Sequence, residues 1–367
     1  YMRLCREKNY GVRMKIIHCA DVHLGSAMDS RLPAEKAEER KRELRSAFTG
    51  MVGYAARCGA RAVIIAGDLF DSDRPLKKDK EFFYNAVKNN PQIDFLYLRG
   101  NHDGLQSYEQ SLENLKLFSS EWTAYRYGNV TVWGCELTAG NCSSVYSTFR
   151  ADGEGLNIAV LHGTCGDSSG RDKVNLQKLR DKGIDYLALG HLHAYRSQKL
   201  DGRGVWAYPG CLEGRGFDET GEKGFIELDI ADGIAHTFVP FSRRVVRELA
   251  VDISAAGDGY AAYMLVLNAL EYPKRDMVRV ILKGETDFNE PDLAAEINKR
   301  LAREGYFYLE VKDETLCRID PAEYGLEQSL KGEFVRSVLA DGELSDEQKA
   351  KVVSLGLKAL DGREIDL

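Results

Sequence analysis

Five short clusters of polar residues follow apolar runs that are typical of buried strands, in the segments ADVHLG, AGDLFD, RGNHD, LHGT and GHLH. Their side chains include carboxylates, imidazoles and one amide, all of which can bind metal ions. The seven candidate ligands are Asp21, His23, Asp68, Asn101, His162, His191 and His193. In layered α/β folds, the loops that follow the carboxyl ends of strands converge on one crevice. The sequence therefore predicts that the five clusters share one metal-binding pocket.

The mixture of donors indicates which ions such a pocket would bind. Oxygen and imidazole donors without thiolates suit Mn²⁺, Fe²⁺ or Zn²⁺ better than Mg²⁺, which prefers oxygen ligands and retained water. Asp68 follows the most buried run and is the best candidate to bridge two ions, since only a carboxylate can neutralise two adjacent cations. Two ions about 3.5–4 Å apart would generate a hydroxide nucleophile and grip a phosphoryl oxygen. The chemistry expected of such a pair is hydrolysis of a phosphate ester.

A proton donor would complete this chemistry, because the alkoxide released from a phosphodiester is a poor leaving group. His102 directly follows a candidate ligand and is free to donate a proton to the leaving oxygen. Asp103, the next residue, is expected to fix the tautomer of the His102 ring. We therefore predict His102 and Asp103 as the catalytic residues.

Strands and helices alternate in the part of the chain that carries the clusters. Strands are predicted over 15–20, 62–66, 94–98, 157–161 and 185–189, and helices over 33–60 and 79–89. This alternation is typical of a layered α/β domain, and the closer spacing of strands after Val130 indicates that part of the sheet is antiparallel. The predicted divisions are a domain over 14–240 with all five clusters, an α+β capping domain over 241–320 and a helical C-terminal tail over 321–367. Within the tail, Ser345 and Gln348 are expected to form a capping box.

The composition excludes several classes of protein. Hydrophobic residues at 44% can build a substantial core, and the net charge of −7 excludes a surface coated with basic residues. Any contact with nucleic acid must therefore be made by a local patch of basic residues or by bound metal ions. None of the eight cysteines forms a C-x-x-C pair, and no apolar run reaches membrane-spanning length, so we expect a cytoplasmic protein without membrane contact. Residues 1–13 look like an extension, since Met14 directly precedes the first strand.

The order D-x-H, G-D, G-N-H-D, H-G and G-H-x-H resembles the calcineurin-like metallophosphoesterases. The longer segments ADVHLG, GDLFDSDRP, RGNHD and GHLH, with YPG followed by FDETGEKGF, are similar to the SbcD-type DNA repair nucleases, which include YhaO-like bacterial exonucleases. The resemblance covers residues 14–240. It implies a layered metallophosphoesterase β-sandwich flanked by helices, with a small α+β cap beyond it.

This resemblance also implies roles for individual residues. One metal ion would be held by Asp21, His23, Asp68 and His193, and the other by Asp68, Asn101, His162 and His191. His102 would assist departure of the leaving group. Members of the family use Mn²⁺ to cleave DNA, often as 3′→5′ exonucleases and single-strand endonucleases. DNA, an SMC-like ATPase of the SbcC type and a second copy of the chain in a homodimer are the partners to expect.

Other functions stay open at this point. A phosphodiesterase acting on nucleotides or other small phosphodiesters would need a closed pocket, where a DNA enzyme needs an open groove with basic walls. A non-catalytic scaffold would be favoured by a missing ligand or acid, and none is missing. A protein phosphatase is disfavoured, because that class carries GDxVDRG and GNHE where this chain has GDLFDSD and GNHD.

Overall fold

A computed structural model gives the fold of the chain. It describes residues 13–28, 32–103, 112–151, 153, 155–286, 292–317 and 328–360. By internal packing the chain divides into two compact units, Tyr1–Val246 and Arg247–Leu367. The predicted three-part division at residues 240 and 320 stays a prediction. The proposed extension up to residue 12 and both ends of the predicted tail, 321–327 and 361–367, lie outside the described residues.

The first unit is built from strands and helices that alternate early and become mostly strands later. In chain order they are β1 (Met14–Cys19), α1 (Ala34–Arg57), β2 (Ala60–Ala66), α2 (Lys77–Lys88), β3 (Asp94–Leu98), β4 (Leu115–Leu117), β5 (Thr123–Tyr127), β6 (Val130–Gly134), α3 (Val145–Thr148), β7 (Leu156–His162), β8 (Thr164–Gly166), β9 (Lys173–Asn175), β10 (Tyr186–Gly190), β11 (Arg196–Lys199), β12 (Val205–Tyr208), β13 (Gly224–Ile230) and β14 (Ile234–Pro240).

Two six-stranded mixed sheets form this unit. One has the order β14-β13-β1-β2-β3-β4 and the other β11-β12-β10-β7-β6-β5. The strands that precede the polar clusters are parallel neighbours, β1-β2-β3 in the first sheet and β7-β10 in the second. At three of the four sheet edges the pairs β13-β14, β11-β12 and β5-β6 are antiparallel, while the edge strand β4 is parallel to β3. The prediction of a layered α/β fold with an antiparallel part is confirmed.

Each sheet is buried on both faces, which explains the continuous apolar runs in the sequence. Successive side chains of a strand point to opposite faces. Ile16 of β1 therefore packs into the core between the two sheets, while Ile17 packs into a second core that Phe48 of α1 shares. A third core covers the outer face of the second sheet, where Leu187 of β10 contributes. The sandwich is thus a rigid platform on which the loops after the central strands are fixed.

The two sheets approach most closely where β2 and β10 end. A Cβ on Gly190 would collide with the carbonyl oxygen of Ala66, so glycine is required at this point. Deeper between the sheets, the fully buried His18 of β1 places Nδ1 2.9 Å from the hydroxyl of Tyr186 on β10. Burial lowers the pKa of His18 to about 3, so this link between the sheets is uncharged near neutral pH.

The second unit is a small α+β body followed by two helices. Its elements are β15 (Val246–Asp252), α4 (Gly259–Ala269), β16 (Met277–Lys283), β17 (Glu285–Thr286), α5 (Leu293–Leu301), a 3₁₀ turn (Ala302–Glu304), β18 (Tyr308–Asp313), β19 (Leu316–Cys317), α6 (Leu330–Ala340) and α7 (Asp346–Leu360). The predicted capping box forms before α7, where Gln348 N–H donates to Ser345 Oγ and Ser345 N–H donates to Gln348 Oε1. No helix among the described residues is both long and apolar enough to span a lipid bilayer.

A buried ion-pair network ties the segment after β12 to α1. Arg40 of α1 is 1% exposed, and its guanidinium donates to Glu213 Oε2 at 2.9 Å and to the Gly214 carbonyl at 2.8 Å. It also donates to Glu43 Oε2 at 2.5 Å. Glu213 is itself 1% exposed, so removal of the arginine would leave a buried carboxylate without its cation. This network therefore ties Glu213 and Gly214, which follow β12, to α1.

We expect Arg40→Ala to lower the free energy of unfolding of the first unit by about 3–5 kcal/mol, because it leaves the Glu213 carboxylate unpaired. The measurement is urea denaturation followed by tryptophan fluorescence, since Trp122, Trp133 and Trp206 all lie in the first unit. Lys41→Ala on the same helix is the matched control, because its ion pair with Glu38 is exposed and is worth at most about 1 kcal/mol. Equal effects of the two substitutions would contradict the prediction.

Candidate metal centre

All seven predicted donors lie at the carboxyl ends of five central parallel strands. Asp21 and His23 follow β1, Asp68 follows β2 and Asn101 follows β3. In the second sheet, His162 is the last residue of β7, and His191 and His193 follow β10. The structure brings these side chains together at one end of the sandwich, in two adjoining groups.

The first group comprises Asp21, His23 and His193, which each offer one ligand atom within 4.8 Å of the other two. The Nε2 atoms of His23 and His193 are 3.3 Å apart. Asp21 and His23 are buried, while His193 is partly exposed. Burial raises the pKa of the Asp21 carboxyl, so a cation in this group would offset the cost of its buried charge.

The second group comprises Asp68, His162 and His191, again with ligand atoms within 4.8 Å of one another. Asn101 completes it, because its Oδ1 lies 3.0 Å from His162 Nε2 and 3.2 Å from His191 Nδ1. Asp68 Oδ2 is 3.5 Å from His162 Nε2. One amide oxygen, one carboxylate and two imidazoles therefore converge on the same point.

Hydrogen bonds across the two sheets fix the orientation of these donors. His162 donates from Nδ1 to the carbonyl of Ala66 at 2.9 Å, which leaves Nε2 free to face the other donors. The carboxylate of Asp21 accepts the backbone N–H of His191, with both oxygens 3.0 Å from the nitrogen. Asp68 Oδ1 accepts the backbone N–H of His102 at 2.9 Å. Each sheet therefore holds donors of the other in place.

The backbone at the site adopts conformations that L-residues rarely occupy. Among the described residues, seven that are not glycine have a positive φ, and four of these are candidate donors: Asp21 (50°), His23 (51°), Asp68 (50°) and His191 (107°). Paired loops support this geometry, since Asp21 N–H donates to the Gly67 carbonyl and His23 N–H donates to the Asp68 carbonyl. Concentration of strain at one place is typical of a functional site.

The carboxylate of Asp68 and the imidazole of His162 stabilise one another's charged forms. Burial alone would raise the pKa of the Asp68 carboxyl, but its contact with His162 holds that pKa well below its usual range. Burial would lower the pKa of His162, but Asp68 raises it to about 9. A proton on His162 thus balances the carboxylate, and a divalent cation would take the place of that proton.

These donor sets fit a pair of divalent cations. Each group combines carboxylate oxygen with imidazole nitrogen, and His162 has its Nδ1 occupied so that Nε2 faces the other donors. The residues that would hold one ion are Asp21, His23, Asp68 and His193, and those that would hold the other are Asp68, Asn101, His162 and His191. This assignment of individual ligands stays a prediction. Asp68 belongs to the second group, and the bridging role expected of it stays a prediction as well.

The two predicted catalytic residues differ in their surroundings. The His102 ring is exposed, and its centroid lies 5.2 Å from that of His23. The Asp103 carboxylate is buried and accepts the backbone N–H groups of Leu69, Phe70 and Gly100 at 2.9–3.2 Å. No hydrogen bond between Asp103 and the His102 ring is present in the described part of the chain. These contacts make Asp103 a brace for the loops of Asp68 and Asn101, and its role as a partner of His102 stays a prediction.

Two acids outside the seven predicted donors contact the donor histidines. Glu219 Oε1 lies 2.7 Å from His193 Nδ1, and Asp71 Oδ1 lies 3.2 Å from His23 Nδ1. Of these two acids, Glu219 is the one that the sequence analysis did not single out. The sequence did contain a signal for Glu219, because FDETGEKGF is part of the family resemblance but holds none of the predicted donors.

Two cavities open beside the second group. One, of about 500 Å³, is lined by Asn101, His162 and Arg171, among others. The other, of about 530 Å³, is lined by His191, Arg171 and Lys173 together with small residues of the loop between β8 and β9. Arg171 and Lys173 are exposed. By contrast, Arg99 is held by Glu136 through bonds of 2.7 and 2.5 Å, so its guanidinium is engaged within the protein.

We expect Gly67→Ala to cost the second group its cation, because φ at this position is +95° and an added Cβ would collide with the His162 ring. Bound metal is measured by mass spectrometry of desalted protein, and the variant should retain about one equivalent fewer than the parent. Gly59→Ala is the matched control, since Gly59 has a φ of +69° but no atom within 4 Å of the added Cβ. An unchanged metal content in Gly67→Ala would contradict this prediction.

Comparisons with known proteins agree with this geometry. The profile of the family described as "Calcineurin-like phosphoesterase" matches residues 14–195, which include all seven donors. The uncharacterized metallophosphoesterase YhaO of Bacillus subtilis is 27% identical over 296 residues, or 74% of this chain and 72% of that protein. The DNA double-strand break repair protein Mre11 of Aeropyrum pernix is 25% identical over 322 residues, or 78% of this chain and 77% of that protein.

Among solved structures, a dimetal phosphatase from Danio rerio superposes with a TM-score of 0.41 at 11% sequence identity, over 62% of this chain and 99% of that chain. The family match rests on the sequence of residues 14–195. Within that range the structure supplies two groups of donors, which is the arrangement that a dimetal centre requires. Residues 14–195 therefore form a calcineurin-like metallophosphoesterase domain, which is a hydrolase domain.

Proposed function

We propose that the chain is a two-metal-dependent DNA nuclease that acts in DNA repair as a 3′→5′ exonuclease, with endonuclease activity on single-stranded DNA. The observation that carries the proposal is the meeting of seven donors in two adjoining groups, with the exposed His102 ring beside them. Similarity to Mre11, which is described as a DNA double-strand break repair protein, supports DNA as the substrate.

The donor set favours Mn²⁺, with Fe²⁺ and Zn²⁺ as alternatives. Four of the seven donors are imidazoles, His23, His162, His191 and His193, and imidazole nitrogen is a poor partner for Mg²⁺. When bound, the two ions would supply the activation of water and the neutralisation of phosphoryl charge that phosphodiester hydrolysis needs. We therefore propose Mn²⁺ as the ion that the protein binds in the cell.

The protein side chains have distinct tasks in this scheme. The carboxylates of Asp21 and Asp68 bring negative charge to the centre of the site, and the histidines supply nitrogens whose direction is fixed by hydrogen bonds. His102 is exposed where a substrate would lie, and a proton on its ring would pass to the oxygen that leaves phosphorus. Asp103 keeps the two loops at the spacing that this transfer needs.

Local positive charge supports a substrate with a phosphate backbone. The chain has a net charge of −7, so attraction for DNA must come from particular residues near the site. Arg171 and Lys173 are exposed and line the cavity that also includes His191. Contacts of this kind position a nucleic acid without reading its sequence. A small nucleotide would use the same cations, so the assay below separates the two substrates.

Location and partners complete the proposal. The described cysteines Cys19, Cys58, Cys135, Cys142, Cys165 and Cys211 are free, which suits the reducing cytoplasm. An SMC-like ATPase of the SbcC type and a homodimer both stay predictions.

The proposed function is tested with end-labelled single-stranded and duplex DNA incubated with Mn²⁺, Fe²⁺, Zn²⁺ or Mg²⁺ and resolved on a denaturing gel. We expect progressive shortening from the 3′ end that Mn²⁺ supports best and that a chelator abolishes. Intact DNA combined with hydrolysis of cyclic nucleotides would favour the small-phosphodiester alternative. Intact DNA combined with release of phosphate from phosphoserine peptides would instead identify a protein phosphatase.

We expect His102→Ala to retain both metal ions and to lose about 10²–10⁴-fold in the rate of cleavage, the usual contribution of a general acid. Metal content is measured by mass spectrometry and cleavage by single-turnover kinetics on labelled DNA. His236→Ala is the control, because this histidine lies on β14 and bonds to Ser197 Oγ. If His102→Ala cleaves DNA at the parental rate, His102 is not the general acid.

A further inference from the structure

Glu219 is a buried carboxylate in the segment FDETGEKGF, outside the predicted set of donors. It is 4% exposed, and each of its partners is close. Oε1 lies 2.7 Å from His193 Nδ1, and the same oxygen accepts from Arg215 Nε at 2.9 Å and Nη2 at 2.7 Å. Oε2 accepts the backbone N–H of Arg215 at 2.8 Å. A carboxylate that is buried and bonded in this way is held in one orientation.

This orientation determines which nitrogen of His193 faces the other donors. Nδ1 lies 2.7 Å from Glu219 Oε1 and 3.2 Å from Arg215 Nη2, and the shorter contact identifies Nδ1–H as a donor to the carboxylate. In the neutral ring the lone pair is then on Nε2, and this atom lies 3.3 Å from Nε2 of His23. The backbone is fixed as well, because Lys223 Nζ donates to the His193 carbonyl at 2.7 Å.

Arg215 extends the same arrangement to the second imidazole of this group. Its Nη1 donates to Asp71 Oδ1 at 3.0 Å, and that oxygen lies 3.2 Å from His23 Nδ1. One guanidinium therefore joins the acid beside His193 to the acid beside His23. Each imidazole of the first group thus lies beside a carboxylate, His193 through a hydrogen bond and His23 at ion-pair distance without one.

The second group is supported differently. His162 donates from Nδ1 to the backbone carbonyl of Ala66, which carries no net charge. A carboxylate behind a ligating imidazole raises the basicity of the ring more than a carbonyl does, and it orients the ring toward the ion. The partner of His162 Nδ1 is therefore neutral, whereas the partner of His193 Nδ1 is a carboxylate.

We propose that Glu219, Arg215 and Asp71 form an ionic support that orients His193 and His23 and strengthens the binding of a divalent cation by the first group. Glu219 is a positioning residue, since it acts on the ion through His193. The proposal rests on the metal centre described above and does not depend on DNA being the substrate.

The test is titration of the metal-free full chain with Mn²⁺. Calorimetry measures the two affinities, and electron paramagnetic resonance distinguishes an isolated ion from a coupled pair. We expect Glu219→Leu to weaken one of the two binding events by about 10- to 100-fold, the usual effect of losing such a support, and to leave the other within about 3-fold. Glu219→Gln keeps an acceptor oxygen and should lose less than Glu219→Leu. At one equivalent of Mn²⁺ the Leu variant should show an isolated ion, and the coupled two-ion signal should appear only at higher concentrations.

Glu213→Gln is the matched control, because Glu213 is also a buried acid of this segment but pairs with Arg40. It should destabilise the fold without changing either Mn²⁺ affinity. If Glu219→Leu fails to fold, Asp71→Asn tests the same support, since the Asp71 side chain is 31% exposed and tolerates substitution better.

Two results would overturn the proposal. The first is wild-type affinity for both Mn²⁺ ions in folded Glu219→Leu, or in Asp71→Asn if the former does not fold. The second is an equal loss of affinity in Glu219→Leu and Glu213→Gln, which would show that only general stability matters. Because Mn²⁺ binding is measured directly, absence of DNA cleavage would count against the proposed function and leave this inference standing.

Discussion

The close approach of the two sheets at the ends of β2 and β10 is the constraint on which the rest of the structure depends. The Ala66 carbonyl lies against Gly190 and also accepts the hydrogen bond of His162. On the neighbouring strand, Asp21 accepts the N–H of His191 across the same junction. The donors come from both sheets. If the two sheets were farther apart by the width of one side chain, the donors would be divided into two incomplete sets. The apolar core between the sheets therefore sets the geometry of the metal centre.

Strain and hydrogen bonding at this junction offset one another. A left-handed backbone costs about 1–3 kcal/mol at a residue that is not glycine, and four of the donors adopt one. The loops after β1 and β2 recover backbone hydrogen bonds by pairing with each other, and Asp103 accepts three more N–H groups from the loops after β2 and β3. A site with this many fixed contacts is preorganised, so little rearrangement is needed when ligands bind.

The sequence predicted the layered fold and the proximity of the seven side chains, because each polar cluster follows a continuous apolar run. The pattern of an apolar run followed by polar residues is local in sequence. The clusters come close together because the parallel strands that carry them end at the same edge of the sheets. The contacts of Asp103 and Glu219 could not be predicted in the same way. Asp103 is adjacent to His102 in sequence, yet its carboxylate faces the backbone of Phe70, and Glu219 contacts His193, 26 positions earlier. Such contacts depend on how loops cross in three dimensions, which no periodicity encodes.

The division of the donors between the sheets has a consequence for how ion preference arises. The first sheet contributes Asp21, Asp68 and Asn101 with a single imidazole, a hard, oxygen-rich set that suits Mg²⁺ or Ca²⁺. The second sheet contributes imidazoles alone, from residues that a ribosome would synthesise later. Discrimination in favour of borderline transition metals is therefore absent from the first sheet's donors and arises when the imidazoles of the second sheet join them. Tertiary assembly, rather than any single stretch of chain, acts as the chemical filter.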